Sequence, residues 1–210
     1  MKHRLRPALL LMTAAVWLAA VAGGLRGLWG YANRAGAGAV GQAAWPVGSL
    51  MARRDGVANL VMFIHPMCPC SKASAEELLR LMNRCDGHLH VQVVAVELAG
   101  APAEWRDSEL IKRLRGIDGV NVFADVDGRE ARRFGARTSG QTQLYDSAGR
   151  LVFSGGITAS RGHQGDNAGS DAIVALVSQT AERGKTPDKT DVFGCSLFAE
   201  TNSSIATGLR

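Results

Sequence analysis

The sequence has no dinucleotide-binding unit, phosphate-loop or metalloprotease motif, so nothing in it points to a nucleotide or to a hydrolytic metal. It has no internal repeat. Aromatics make up only 6% of the residues, and no basic stripe with interleaved aromatics of the nucleic-acid-binding kind occurs. The formal net charge of +5 does not restore that reading, because Lys2, Arg4, Arg6 and Arg26 supply four charges in or beside one apolar segment. The rest of the chain is nearly neutral, which excludes nucleic acid as a partner.

Charge is absent altogether from residues 7–25, a run long enough to cross a bilayer. The basic residues of segment 1–6 precede it, so the positive-inside rule places that end in the cytoplasm and the following domain outside. A cleaved signal peptide, with Ala20-Val21-Ala22 as its processing site, is the rival reading. The anchor is preferred because the apolar run exceeds the usual signal core of about 7–15 residues. Either way the domain is exported, and on the anchor reading the membrane is a partner through the N-terminal helix.

Cysteine is scarce: four residues, Cys68, Cys70, Cys85 and Cys195. Two of them sit at one junction. Residues 57–64, Val-Ala-Asn-Leu-Val-Met-Phe-Ile, are short, apolar and β-prone, as in a strand buried on both faces. After them Ala73, Leu78, Leu79, Leu81 and Met82 recur at helical spacing, predicting a helix over 69–84. Cys68 therefore stands at a helix N-terminus, where free backbone N–H groups and the helix dipole favour a thiolate. Cys-Pro-Cys closes a tighter ring than Cys-x-x-Cys, and a disulfide across it is strained and oxidising. Three chemistries are open at this junction: a Cys68–Cys70 redox couple, a Cys68 monothiol resolved by a partner, and a thiolate pair for a soft metal such as Cu(I). Without that metal, no cofactor is expected.

The remaining elements follow in order. Residues 26–55 are Gly- and Ala-rich without a period and read as a tether, with Trp45-Pro46 beginning to pack onto the domain. Residues 88–98 read as a second strand, Ser108 as the cap of a helix to Arg115, 120–124 as a third strand and 129–134 as a short helix closed by Gly135. Residues 142–145 and 151–153 flank the hairpin turn 146–150. A last helix is predicted over about 170–182, capped by Ser170 or Asp171. The domain spans 56–183 and a tail 184–210. A parallel β-α-β half followed by a hairpin and a terminal helix is an α/β fold.

This order, and the residues at the junction, resemble the thioredoxin superfamily, in particular membrane-anchored bacterial thiol–disulfide oxidoreductases with a Cys-Pro-Pro-Cys site. Phe63, Cys68, Pro69, Ala73, Glu77 and Leu78 fall in step with that pattern. The second cysteine departs: Ser71 stands at the resolving position and the thiol lies one residue earlier, at Cys70. Residues 134–150 resemble the family's segment around its cis-proline, which here falls on Gly140, a residue that does not favour a cis bond. The whole chain is also similar to exported bacterial proteins labelled RedB. The resemblance implies a thioredoxin-like fold behind a transmembrane helix, and a single-pass protein of the cytoplasmic membrane with its domain in the periplasm. It also implies Cys68 as the attacking thiol and a protein thiol or disulfide as partner. Resemblance to the Sco-type copper proteins of the same fold is the alternative, with Cys68 and Cys70 as ligands and His163 or Cys195 added.

Further candidates surround the junction. Loop 156–169 borders the same end of the sheet, and its His163 offers a thiol-polarising imidazole or a soft-metal ligand, with Asp166 or Asn167 to orient it. His65, three residues before Cys68, offers a second imidazole or merely a turn with Pro66. Cys195 is about ten residues beyond the last helix, and such a stretch reaches about 30 Å when extended, enough to return to Cys68. Cys85 reads as a packed residue or as the partner of Cys195 in a disulfide.

Overall fold

The structure, a computed structural model, describes residues 2–38, 41–85, 87–98, 100–178 and 188–198. The chain forms two compact units, Met1–Arg34 and Ala35–Arg210. The first is helix α1, Lys2–Ala32, whose stretch Ala8–Ala32 is long and apolar enough to cross a membrane, with a mean hydropathy of 2.1. The helix runs past residue 25, so the first part of the expected tether is helical. Residues 26–32 contain no proline, and Leu25, Leu28 and Trp29 continue the apolar character.

In the second unit, strand β1 (Ala58–Ile64) leads into helix α2 (Pro69–Arg84). There follow β2 (Leu89–Glu97), a 3-10 turn at Ala103–Trp105, α3 (Glu109–Arg115), β3 (Val120–Val126), α4 (Arg129–Arg133), β4 (Gln141–Tyr145), β5 (Leu151–Gly155), α5 (Ala168–Val177) and β6 (Asp188–Lys189). The sheet order is β3-β2-β1-β4-β5-β6. β1 pairs in parallel with β2, as does β2 with β3, while β4 is antiparallel to both β1 and β5. A parallel half joined edgewise to a hairpin, with a terminal helix packed back on the sheet, is the thioredoxin-like arrangement that the element order predicts.

Strand alternation divides the core into two layers. Leu60, Met62 and Ile64 point to one face, where Leu78, Leu81, Leu114 and Ile173 of the helices cover them. Val61 and Phe63 point to the other and meet Phe134, Tyr145, Leu151 and Leu197. β1 is thus buried on both faces, as its unbroken apolar run requires.

Two boundaries differ from expectation. The second part of the supposed tether is laid on the domain: Ala44 bridges Arg150, Met51 is buried, and the Trp45 ring sits edge-on to Phe134 and Tyr145 with centroids 5.1 and 5.2 Å away. Trp45 packs onto the domain as expected, and the chain around it, from Ala44 to Met51, is held there with it. The last helix begins earlier than expected, because Asn167 is its cap and accepts from the Ser170 N–H at 2.8 Å. Expectations for residues 179–187 and 199–210 lie outside the described residues.

Candidate functional site

The site forms where several chain segments reach one end of the sheet. β1 ends at Ile64 beside the start of β4, since Phe63 pairs with Gln141, and Thr142 pairs with Gly155 at the end of β5. β6 runs parallel to β5, so the chain beyond Lys189 heads for the same end. The junction before α2, residues 137–140, loop 156–169 and the tail therefore converge.

Cys68 is the N-cap of α2 in extended conformation, with φ −76° and ψ 120°. Its N–H donates to the His65 carbonyl at 3.0 Å, and its own carbonyl accepts from Ser71 N–H at 3.0 Å. Pro69 opens the helix, a position where a missing N–H costs nothing. Cys70 follows in the first turn. The tail brings a third thiol: the sulfurs of Cys68, Cys70 and Cys195 all lie within 4.8 Å of one another. All four cysteines are free.

These thiols are electrostatically unequal. Burial alone would raise Cys68, which is 5% exposed. Hydrogen bonds from the Cys195 thiol, from the N–H groups of Cys195 and Cys70, and from the Ser71 hydroxyl outweigh it, holding Cys68 below the ordinary thiol range. Cys195 is pushed up to about 12 by burial, by sharing its proton with Cys68, and by the negative charges of Cys68 and Cys70. Cys70 is also raised, through burial and then the Cys68 charge, with Arg161 opposing. Of the three thiols, Cys68 is thus the one whose ionised form the centre favours, and its two neighbours are the ones it disfavours.

Two polar residues that sequence reasoning did not single out complete the centre. Ser139 accepts from the His65 N–H at 2.9 Å and shares a hydrogen bond with Ser71 at 2.7 Å. The serine at the expected resolving position is therefore a link in a buried hydroxyl pair, and its hydroxyl also supports Cys68. Arg161 reaches over from loop 156–169, donates to the Gly194 carbonyl and lowers Cys70 through charge and hydrogen bonding. An isolated arginine in a Gly-rich loop carries no sequence pattern, and Ser139 gains its role only by meeting residues more than sixty positions away.

The other expected residues fall into place around the thiols. Gly140 replaces the family's cis-proline with φ +90°, and its N–H donates to the Phe63 carbonyl at 2.7 Å; no described peptide bond is cis. The His65 ring accepts from Met67 N–H at 3.2 Å and lies edge-on to Trp105, with centroids 4.7 Å apart. It shapes the turn, and burial lowers its pKa. His163 is exposed and stands outside the sulfur group. Neither it nor Asn167 matches the expected pairing: Asn167 caps α5 and contacts the buried Glu77 carboxylate. Cys195 stands with Cys68, whereas Cys85 closes the far end of α2, about 24 Å along its axis. The Cys85–Cys195 disulfide is thereby excluded; Cys85 is a core residue that burial pushes up to about 11.

Cys68 also lines a cleft of about 440 Å³ with Met67, Pro69, Lys72, Trp105 and Leu110. A larger cleft of about 850 Å³, bounded by Gly36, Gly156, Asp191 and Phe193, contains none of the cysteines. Proximity to the reactive sulfur makes the smaller one relevant.

No protein-family model matches the chain, and no curated protein does. Solved structures do match. A hypothetical protein, SMc02350, from Sinorhizobium meliloti 1021 is 24% identical, with a TM-score of 0.54 over 68% of this chain and 80% of that one. An uncharacterized conserved protein from Geobacillus kaustophilus is 20% identical, with a TM-score of 0.58 over 77% and 96%. The MTB dsbF protein, in mixed oxidized and reduced forms, is 17% identical, with a TM-score of 0.41 over 60% and 83%. The first two likenesses concern the fold.

Proposed function

We propose that this protein is a membrane-anchored thiol–disulfide exchange protein whose thioredoxin-like domain works on the outer side of the cytoplasmic membrane, in the periplasm. The observation that carries the reading is the inequality of the clustered thiols: hydrogen bonds lower Cys68, while Cys195 and Cys70 beside it are raised. Cys68 attacks one sulfur of a partner disulfide. A Cys68–partner bond forms, the partner's own S–S bond breaks, and its other sulfur leaves as a thiolate that takes up a proton. Cys195 or Cys70 then attacks the Cys68 sulfur, releasing the partner's first sulfur in the same way. Two electrons pass to the partner, and the protein retains an internal disulfide that a dithiol donor must reduce before the next cycle.

The charge state supports this order. While Cys68 is a thiolate, Cys195 donates a hydrogen bond to it, keeps its own proton and is held unreactive. Once Cys68 enters a mixed disulfide, that acceptor and its charge are gone, and Cys195 loses two of the causes that raise its pKa. The resolving thiol is released when it is needed.

The second reading is a Cu(I) chaperone or metallation factor, favoured by the same triangle of sulfurs. Cys68, Cys70 and Cys195 supply an all-thiolate donor set suited to a soft ion. His163 stands outside that set. One experiment separates the readings. The full chain in detergent is assayed for reduction of a protein disulfide and titrated with Cu(I) against a chromophoric chelator. Exchange abolished by Cys68→Ser, with no stoichiometric copper uptake, supports the redox reading. One copper per chain, lost on replacing any of the three cysteines, with no exchange, establishes the metal carrier.

A further inference from the structure

The tail does more than carry Cys195. Between Gly194 and Leu197 it runs antiparallel to residues 137–139: Ser139 N–H donates to the Cys195 carbonyl at 2.8 Å, Leu197 N–H donates to the Arg137 carbonyl at 2.8 Å, and Thr138 bridges Ser196. Gly194 lies so close to this edge that a Cβ there would stand 1.8 Å from the Ser139 carbonyl oxygen, so only glycine fits. Two residues beyond the cysteine, Leu197 is fully buried among Phe134, Ala136 and Val96 in the second core layer. The tail thus presents a sulfur to Cys68 by an extended Gly-Cys-x-Leu segment that is read at three points: the glycine approach, the backbone pairing and the leucine pocket.

With this segment in place Cys68 is 5% exposed, and the Cys195 sulfur lies within 4.8 Å of its own. Resting on the exchange reading above, we infer that edge 137–139 is the docking surface for the partner's own extended cysteine-bearing segment, of the pattern Gly-Cys-x-apolar, and that the tail is the resident copy it displaces. A partner with this pattern replaces the tail contact for contact, by strand addition to the edge that the tail vacates. After Cys68 forms its disulfide with the partner cysteine, the returning tail competes for the same edge and carries the Cys195 thiol to the Cys68 sulfur. The Cys68–Cys195 bond forms as the Cys68–partner bond breaks, and the partner leaves as a thiolate. Resolution and release become one event.

The test uses the full chain with Cys195→Ser in detergent. The probe is the octapeptide Asp-Val-Phe-Gly-Cys-Ser-Leu-Phe carrying thionitrobenzoate on its cysteine, with cystine-sized thionitrobenzoate disulfide as a small reference. Attack by Cys68 on the peptide sulfur joins peptide to protein and releases the coloured thiolate. We expect the peptide to react roughly tenfold or more faster than its Gly→Ala counterpart, because the added methyl must displace backbone. A second measurement needs no exchange: the octapeptide with serine for cysteine, added to the wild-type chain, should raise the alkylation rate of Cys195 as the tail is lifted. Equal rates for the Gly and Ala peptides, with no change at Cys195, would overturn the inference and direct partner entry to the Met67–Trp105 cleft. Small-disulfide attack would still leave the exchange reading standing. If Cys68 attacks neither reagent while the serine peptide exposes Cys195, the exchange reading fails and the edge is a peptide-binding surface only.

Discussion

Cys195 is the main donor to Cys68, and that makes its side chain testable by substitution. Cys195→Ala deletes the thiol donor and leaves the helix position and Ser71 in place, so the Cys68 pKa must rise toward the ordinary thiol range. The sign follows from the donor's role: removing a hydrogen bond to the anion disfavours the anion, and less thiolate is present at neutral pH. Alkylation of Cys68 by iodoacetamide, followed by mass spectrometry against pH, should show the inflection moved to higher pH. The rate at pH 7 should fall by about tenfold, in line with the ~1.5–3 kcal/mol of a hydrogen bond to a charged group. Cys195→Ser, whose hydroxyl still donates, should keep most of the wild-type profile. If Ala and Ser behave alike, the Cys195 hydrogen bond is not what holds the thiolate.

At the scale of elements, helix α2 is the pivot, because its N-cap and first turn hold two thiols and its third turn holds the loop opposite. Glu77, buried on α2, accepts from Gly165 N–H at 2.7 Å, from Asn167 at 3.4 Å and from Arg80. That carboxylate fastens loop 156–169, and through it Arg161, over the sulfurs. Glu77→Ala should lower stability by about 2 kcal/mol, the cost of leaving buried donors unpaired, as read from the denaturation midpoint. Hydrogen exchange should quicken at the Gly165 amide, and unchanged protection there would show that the loop holds itself. These elements also show what a sequence makes legible. The β1–α2 junction and the hairpin announce themselves through local periodicity and turn residues, and Ser108 caps α3 as its spacing predicts, accepting from Ile111 N–H. The cap at Asn167 escapes because Ala168 and Gly169 add no apolar period to the helix start. β6, only two residues long, has no period to read. The return of Cys195 is legible as reach alone; what directs it, the parallel pairing of β6 with β5 and the glycine contact at Ser139, is tertiary.

The whole molecule combines two physically different units, an apolar helix and an α/β domain. Helix α1 spans 31 residues, about 46 Å, enough for an apolar stretch of bilayer thickness with its flanks. The proposed topology puts its basic start, Lys2, Arg4 and Arg6, in the cytoplasm, as the positive-inside rule predicts. The proposed exchange needs the outer side, since a cytosol that keeps thiols reduced offers few stable disulfides to attack. Topology is therefore a condition of the function, and it can be tested apart from it. After alkaline carbonate extraction of bacterial membranes the full chain should remain in the pellet. Protease added to spheroplasts should remove the domain and leave only a small fragment containing α1. Release by carbonate would show that the apolar run does not span the bilayer. Protection from protease in spheroplasts, with digestion only after lysis, would place the thiols in the cytoplasm, where a poised Cys68 thiolate stays reduced and the copper-carrier reading becomes the stronger one.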